Sequence, residues 1–297
     1  MTDFSLKGTI TAVVTPFNQD LTIDFHSFEN IIEHQIANGI EGIVVAGSTG
    51  ESATLTEKER LALLIKAVEI ANGRTKIIAG TGSNNTELSI HLTNLAKEHG
   101  ADAVLLVAPY YNKPSQEGLY HHFAAIAESV DIPQIIYNVP GRSGVNINPE
   151  TQIKLAEDFK NIVATKEASG DLEQMAQIMK YAPINFSLYC GDDALAVPAI
   201  LLGAVGVISV LSNYAPKEFG NCIRYALNGE YNEAKKIHYK LLDLMQLNFV
   251  ETNPVPVKSI MNIMGFCNDI VRLPLTPISS ANKKILTKAV KTAKLTK

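Results

Sequence analysis

The chain has 297 residues, 46% hydrophobic and 19% charged, and its 26 Lys and Arg against 30 Asp and Glu leave a formal net charge of -4. A chain of this length buries roughly 75% of the surface it exposes when unfolded, so it can fold without disulfides or a structural metal. Composition excludes collagen-like and disordered classes, and the mild acidity excludes a whole-molecule basic field for nucleic acid, so any anionic ligand must be held locally.

Cys190, Cys222 and Cys267 are an odd number without CxxC spacing, which argues against a disulfide framework and a zinc site and points to a reducing compartment. The start, MTDFSLKGTITAVVTPF, has no basic stretch leading into a long apolar one, and no 18 apolar residues run consecutively. A cytoplasmic protein that does not enter membranes is expected.

The first third of the chain repeats one arrangement. Phe28, Ile31, Ile32 and Ile36 recur at helical spacing and stop at Asn38-Gly39, a pair suited to a left-handed cap, before the apolar run GIVVAG at 42–47. Thr56 and Glu59 have capping-box spacing; Leu61, Leu64, Ile65 and Val68 form the next stripe, and Asn72-Gly73 closes it before KIIAG. A third cycle ends at His99-Gly100 and feeds DAVLLVAP.

Further runs follow at 133–138, 161–166, 186–190 and 205–210, which with TITAVV near the start make eight. Their near-continuous apolarity fits parallel strands covered by helices, and eight such strands predict an α/β fold of the (β/α)8 TIM-barrel type, although an open doubly wound sheet shares this grammar. Helical patterns take over after Asn213, so a barrel over 1–225 and a C-terminal helical segment over 226–297, packed on the barrel, are expected. The Lys-rich end reads as the solvated face of an amphipathic helix, interrupted by Ile285, Leu286, Val290 and Leu295.

Barrel chemistry sits at the C-terminal strand ends. Lys166 closes the apolar run Ile162-Val163-Ala164-Thr165, where a lysine head is costly unless paired or functional. Desolvation favours the neutral amine, a nucleophile toward carbonyl compounds; the alternative is an ion pair with Glu167 or Glu51. Tyr137 ends the preceding run and can carry a proton if Ser48, Thr49 and Tyr111 relay it. Arg142, after Pro140-Gly141, suits a carboxylate. Gly80-Thr81-Gly82 lacks a dinucleotide or phosphate-loop pattern, and His121-His122 read as ordinary surface residues, so no metal or nucleotide cofactor is expected.

The segments GSTGESATL at 47–55, PYYNKPSQEGLYHHF at 109–123, YNVPGRSG at 137–144, KEASGD at 166–171 and GDDA at 191–194 together resemble the dihydrodipicolinate synthase (4-hydroxy-tetrahydrodipicolinate synthase) family, in order and from about residue 6 to the C-terminal region. The resemblance implies a lyase that condenses pyruvate with L-aspartate 4-semialdehyde without a metal, in lysine and diaminopimelate biosynthesis. In that pattern Lys166 forms an imine with pyruvate and Tyr137 moves protons through Thr49 and Tyr111, with Ser48 beside them. Thr49 also contacts the pyruvate carboxylate, Ile208 offers a backbone contact, and Arg142 binds the semialdehyde carboxylate. In the family the residue matching Tyr111 reaches into a neighbouring subunit's site, so the resemblance implies a tight dimer and a homotetramer built as a dimer of dimers.

At the family's lysine-inhibition site Ser52, Ala53, Asn84 and Tyr110 are retained, while Glu57, Arg60 and Leu88 replace two histidines and a glutamate, so weak or absent lysine feedback is expected. Two rivals remain: an N-acetylneuraminate lyase or 2-keto-3-deoxy sugar acid aldolase with a polyol substrate, and a catalytically silent binding or assembly barrel. Arg142 within YNVPGR favours a small carboxylated aldehyde over the first, and retention of Lys166, Tyr137 and Thr49 opposes the second.

Overall fold

The computed structural model describes residues 6–295; the first five residues of the N-terminal segment and the last two of the Lys-rich end lie outside the described residues. All eight apolar runs form strands: β1 Gly8–Ala12, β2 Gly42–Val45, β3 Lys76–Gly80, β4 Ala103–Val107, β5 Gln134–Asn138, β6 Ile162–Glu167, β7 Ser187–Cys190 and β8 Gly206–Ser209. They pair in parallel and in sequence order, and β8 returns to β1 to close the barrel. The closed barrel, not the open sheet, is the outcome. Closure presses β8 against β1 so tightly that a Cβ on Gly206 would lie 1.9 Å from the Gly8 carbonyl oxygen, leaving glycine as the residue that fits.

Alternation explains why the strands are apolar throughout. Ile10, Val44, Ile78, Leu105, Ile135, Ala164 and Ile208 fill the barrel interior, whereas Ile43, Val45, Ile77, Val104, Ile136 and Val207 join the outer core beneath the helices.

The helices in chain order are α1 Phe25–Ala37, α2 Glu57–Ala71, α3 Thr86–Glu98, α4 Gln116–Ser129, the short α5 Pro140–Ser143, α6 Pro149–Asp158, α7 Leu172–Tyr181, α8 Ala196–Leu201, α9 Pro216–Leu227, α10 Tyr231–Leu247, α11 Val255–Ile263 and α12 Ser280–Ala293. The α2 capping box forms, with the Thr56 hydroxyl accepting from the Glu59 N–H and the Glu59 carboxylate accepting from the Thr56 N–H. Asn72 adopts the left-handed conformation that ends α2.

The stripe expected on α2 is corrected in part: Leu64 is buried and Val68 packs against the core as expected, but the rest of the buried face lies elsewhere. Leu63, Leu64, Ala67, Ile70 and Ala71 are buried, while Leu61 is half-buried and Ile65 is 44% exposed. Both sets satisfy helical spacing, and packing on β2 and β3 selects between them. His121 and His122 also part company. His122 is buried, its Nδ1 2.9 Å from the Thr86 hydroxyl at the start of α3, and burial alone lowers its pKa to about 4. It faces the neighbouring helix, a position that two adjacent histidines do not reveal in sequence.

The helix α9 follows β8 and ends at Leu227; α10 packs on α9, and α12 on α10 and α11. Leu286 and Val290 of the Lys-rich end are buried, Leu295 is half-buried, and Ile285 is 48% exposed.

Candidate active site

At the C-terminal mouth of the barrel lies a cavity of about 150 Å³ lined by Ser48, Thr49, Tyr137, Arg142, Lys166 and Asn253, among others. Lys166 and Tyr137 are paired residues on the adjacent strands β6 and β5, and the Lys166 Nζ lies 4.3 Å from the centre of the Tyr137 ring. Both are at least nine-tenths buried. The lysine stem also needs Gly191, because a Cβ there would sit 3.1 Å from the Lys166 Cε and 2.5 Å from the Ala168 Cβ. The glycine of GDDA therefore clears space for the lysine.

Neither carboxylate offered as a partner for Lys166 is available to it. Adjacent strand residues point to opposite faces, so Glu167 turns outward. There it accepts from the side-chain amides of Asn138, Gln152 and Gln174 and from the Ser169 N–H, at 2.9 to 3.1 Å. Glu51 pairs instead with Lys258 at 2.6 Å, with both side chains almost fully buried.

The other expected residues divide. Thr49 is buried and its hydroxyl accepts from the Asn253 side-chain amide at 2.9 Å, while Ser48 stands beside it, half-buried on the cavity wall. Arg142, at the end of α5, donates to the Asn253 carbonyl at 3.1 Å. Tyr111 is 90% exposed with a positive φ of 73° and does not line this cavity. Ile208 is fully buried in the barrel interior, and its neighbour Val210 lines the cavity.

Ser52, Ala53, Asn84 and Tyr110 lie outside the cavity. The Arg60 guanidinium donates to the Ser52 carbonyl at 2.6 Å, and the Asn84 side-chain amide to the Tyr110 carbonyl at 3.2 Å. Burial pulls the Arg60 guanidinium below its usual value, with the Tyr110 phenol acting in the opposite sense. Glu57 pairs with His91 at 2.9 Å, and Leu88 is 42% exposed on α3.

Several site residues carry no local signal in the sequence. Asn253 and Phe249 reach the cavity from the C-terminal segment, far from the strand ends. Asp193 sits behind the wall, accepting from the Val210 and Leu211 N–H groups; burial raises its pKa to about 6, against the lowering effect of those bonds. One signal was present, a lysine inside the apolar run VPVKSIM, which marks Lys258 as a buried charge needing a partner. Among the described residues no group of three or more His, Cys, Asp and Glu is arranged for a metal ion, and no helix is long and apolar enough to cross a membrane.

A closed parallel (β/α)8 barrel with a buried lysine and tyrosine in a polar cavity at its C-terminal mouth defines the class of a barrel enzyme. Comparison narrows that class: the chain belongs to the dihydrodipicolinate synthetase family, whose profile it matches over residues 5–293. It is 48% identical over 285 residues to the 4-hydroxy-tetrahydrodipicolinate synthase of Endomicrobium trichonymphae, covering 96% of this chain and 97% of that protein. The solved dihydrodipicolinate synthase of Aquifex aeolicus is 46% identical with a TM-score of 0.95, covering 97% of this chain and 98% of that one. The chloride-inhibited dihydrodipicolinate synthase of Acinetobacter baumannii, solved in complex with pyruvate, is 43% identical with a TM-score of 0.96, covering 98% of this chain and 100% of that one.

Proposed function

We propose that the protein condenses pyruvate with L-aspartate 4-semialdehyde to 4-hydroxy-tetrahydrodipicolinate, in lysine and diaminopimelate biosynthesis. The observation that carries this function is the buried pairing of Lys166 with Tyr137 at the barrel mouth. The neutral Lys166 amine adds to the pyruvate ketone and water leaves, giving an imine. Loss of a proton from the pyruvate methyl gives the enamine, whose carbon attacks the aldehyde while the aldehyde oxygen gains a proton. The substrate's own amine then attacks the imine carbon, closes the ring and frees Lys166. These reaction steps need no metal or nucleotide.

Tyr137 moves these protons, through Thr49 with Ser48 alongside. Thr49 binds the pyruvate carboxylate together with a backbone contact at Ile208, and Arg142 takes the carboxylate of the semialdehyde as a bidentate partner. Tyr111, exposed in one chain, completes the relay of a second copy, and a dimer of such dimers is the assembly in the cytoplasm. The barrel domain over 1–225 carries the chemistry, with the segment over 226–297 closing one side of its mouth through Asn253 and Phe249.

Treatment with pyruvate and borohydride tests the mechanism. The expected result is a reduced pyruvyl adduct on the peptide containing Lys166, and a peptide without added mass refutes the imine.

A further inference from the structure

The loop over residues 47–51 carries Ser48 and Thr49, and its geometry is set by the residue that ends it. The Glu51 N–H donates to the Ser48 carbonyl at 3.1 Å, and Glu51 holds a positive φ of 57°, a region costly for a residue with a Cβ. Its carboxylate is held on both oxygens by the C-terminal segment: one bonds the Lys258 ammonium at 2.6 Å, and the other accepts the Arg272 N–H at 3.0 Å. Lys258 and Arg272 both lie over the buried Phe17 ring, at 4.2 and 4.4 Å from its centre.

The same helix touches the loop a second time. Asn253, just before α11, donates to the Thr49 hydroxyl, and the Lys258 N–H donates to the carbonyl of Pro254, the next residue, so Asn253 directly precedes the first turn of α11 that carries Lys258. A buried ion pair is weak evidence for stability, because desolvation offsets most of the attraction, but it can fix a register. Accepting from Asn253 leaves the Thr49 hydroxyl proton free to be donated elsewhere.

We infer that the Glu51–Lys258 pair is a positioning element for the condensation: it locks α11 to the loop over 47–51 and thereby aims the Thr49 hydroxyl at the bound substrate. The inference rests on the imine mechanism proposed above. Neither Glu51 nor Lys258 lines the cavity, so their effect passes through Thr49 and Asn253.

The test is Glu51→Gln combined with Lys258→Met, which removes both charges and keeps an acceptor for the Arg272 N–H. The variant is compared with the unsubstituted enzyme in turnover per active site, the sites counted by borohydride trapping of pyruvate on Lys166. The expected result is a native-like melting temperature, retained trapping at saturating pyruvate, and kcat per trapped site lower by about tenfold or more, the scale of a small misplacement of a reacting group. As a second variant Phe17→Leu leaves both charges in place and loosens their aromatic seat; a smaller loss of kcat per trapped site is expected. If either variant folds and keeps the full kcat per trapped site, the positioning role is overturned. Absence of trapping in the unsubstituted enzyme refutes the imine mechanism, and the inference with it.

Discussion

Lys166 and Tyr137 face each other across the β5–β6 ladder, the Lys166 Nζ 4.3 Å from the ring centre. Nucleophile and proton carrier are thus held by strand register and not by a mobile loop, which keeps the two in reach through every step. Removing the amine and removing the phenol should therefore have separable effects. Lys166→Ala is expected to abolish the borohydride-trapped pyruvate adduct, whereas Tyr137→Phe should still form it but lose about 10²- to 10⁴-fold in kcat, the usual share of a positioned acid–base group. Mass spectrometry of the trapped peptide and steady-state rates make the comparison.

Arg142 lies at the rim, anchored to the Asn253 carbonyl. Loss of a charge-assisted contact of about 1.5–3 kcal/mol should raise the KM for the semialdehyde by roughly ten- to a hundredfold in Arg142→Ala. Pyruvate trapping should be spared. An unchanged KM would show that the aldehyde carboxylate binds elsewhere.

Lysine should inhibit this enzyme weakly or not at all. The position held by Leu88 offers no carboxylate to an ammonium, and the Glu57 carboxylate is engaged with His91. Inhibition curves extending past millimolar lysine are the measurement; half-inhibition at submillimolar concentration would contradict the expectation.

Glu167 makes a stability prediction separate from catalysis. Its fully buried carboxylate receives the Asn138, Gln152 and Gln174 side-chain amides and the Ser169 N–H. Glu167→Ala leaves these donors unsatisfied at about 1–3 kcal/mol each for those that find no water, so a loss of several kcal/mol is expected in urea unfolding.

His122 should make the fold sensitive to acid. Burial lowers its pKa to about 4, against 6.5 for the free side chain. Between those values the unfolded chain binds the extra proton, so stability is full above pH 6.5 and is lost as pH falls toward 4, at up to about 1.4 kcal/mol per pH unit. Asp193, raised to about 6 from 3.8, acts oppositely: its protonation stabilises the fold as pH falls through 6. Asp193 thus offsets part of the His122 effect, and the informative quantity is the difference from His122→Gln, which should resist acid better between pH 6.5 and 4.5.

The barrel was legible because its strands are buried on both faces. Burial on both sides writes an unbroken apolar run into GIVV or AVLL, and the capping pairs Thr56 and Glu59 or Asn72 and Gly73 mark where the helices between them start and stop. Side chains whose chemistry is costly in an apolar strand, above all Lys166, stood out for the same reason. The buried face of α2 did not, since helical spacing admits two stripes and only contact with β2 and β3 chooses one.

The sequence by itself determined the kind of elements, their order and the polar residues at the strand ends, because these depend on local periodicity and on the cost of burying polar groups. Only the tertiary structure decided the partners: Glu167 outward among amides, Glu51 with Lys258, Asn253 on Thr49 and Arg142. Pairs such as Glu51 and Lys258 are separated by 207 residues. Contacts that long-range are products of barrel closure and of the C-terminal segment folding back over the mouth, and no local pattern records them.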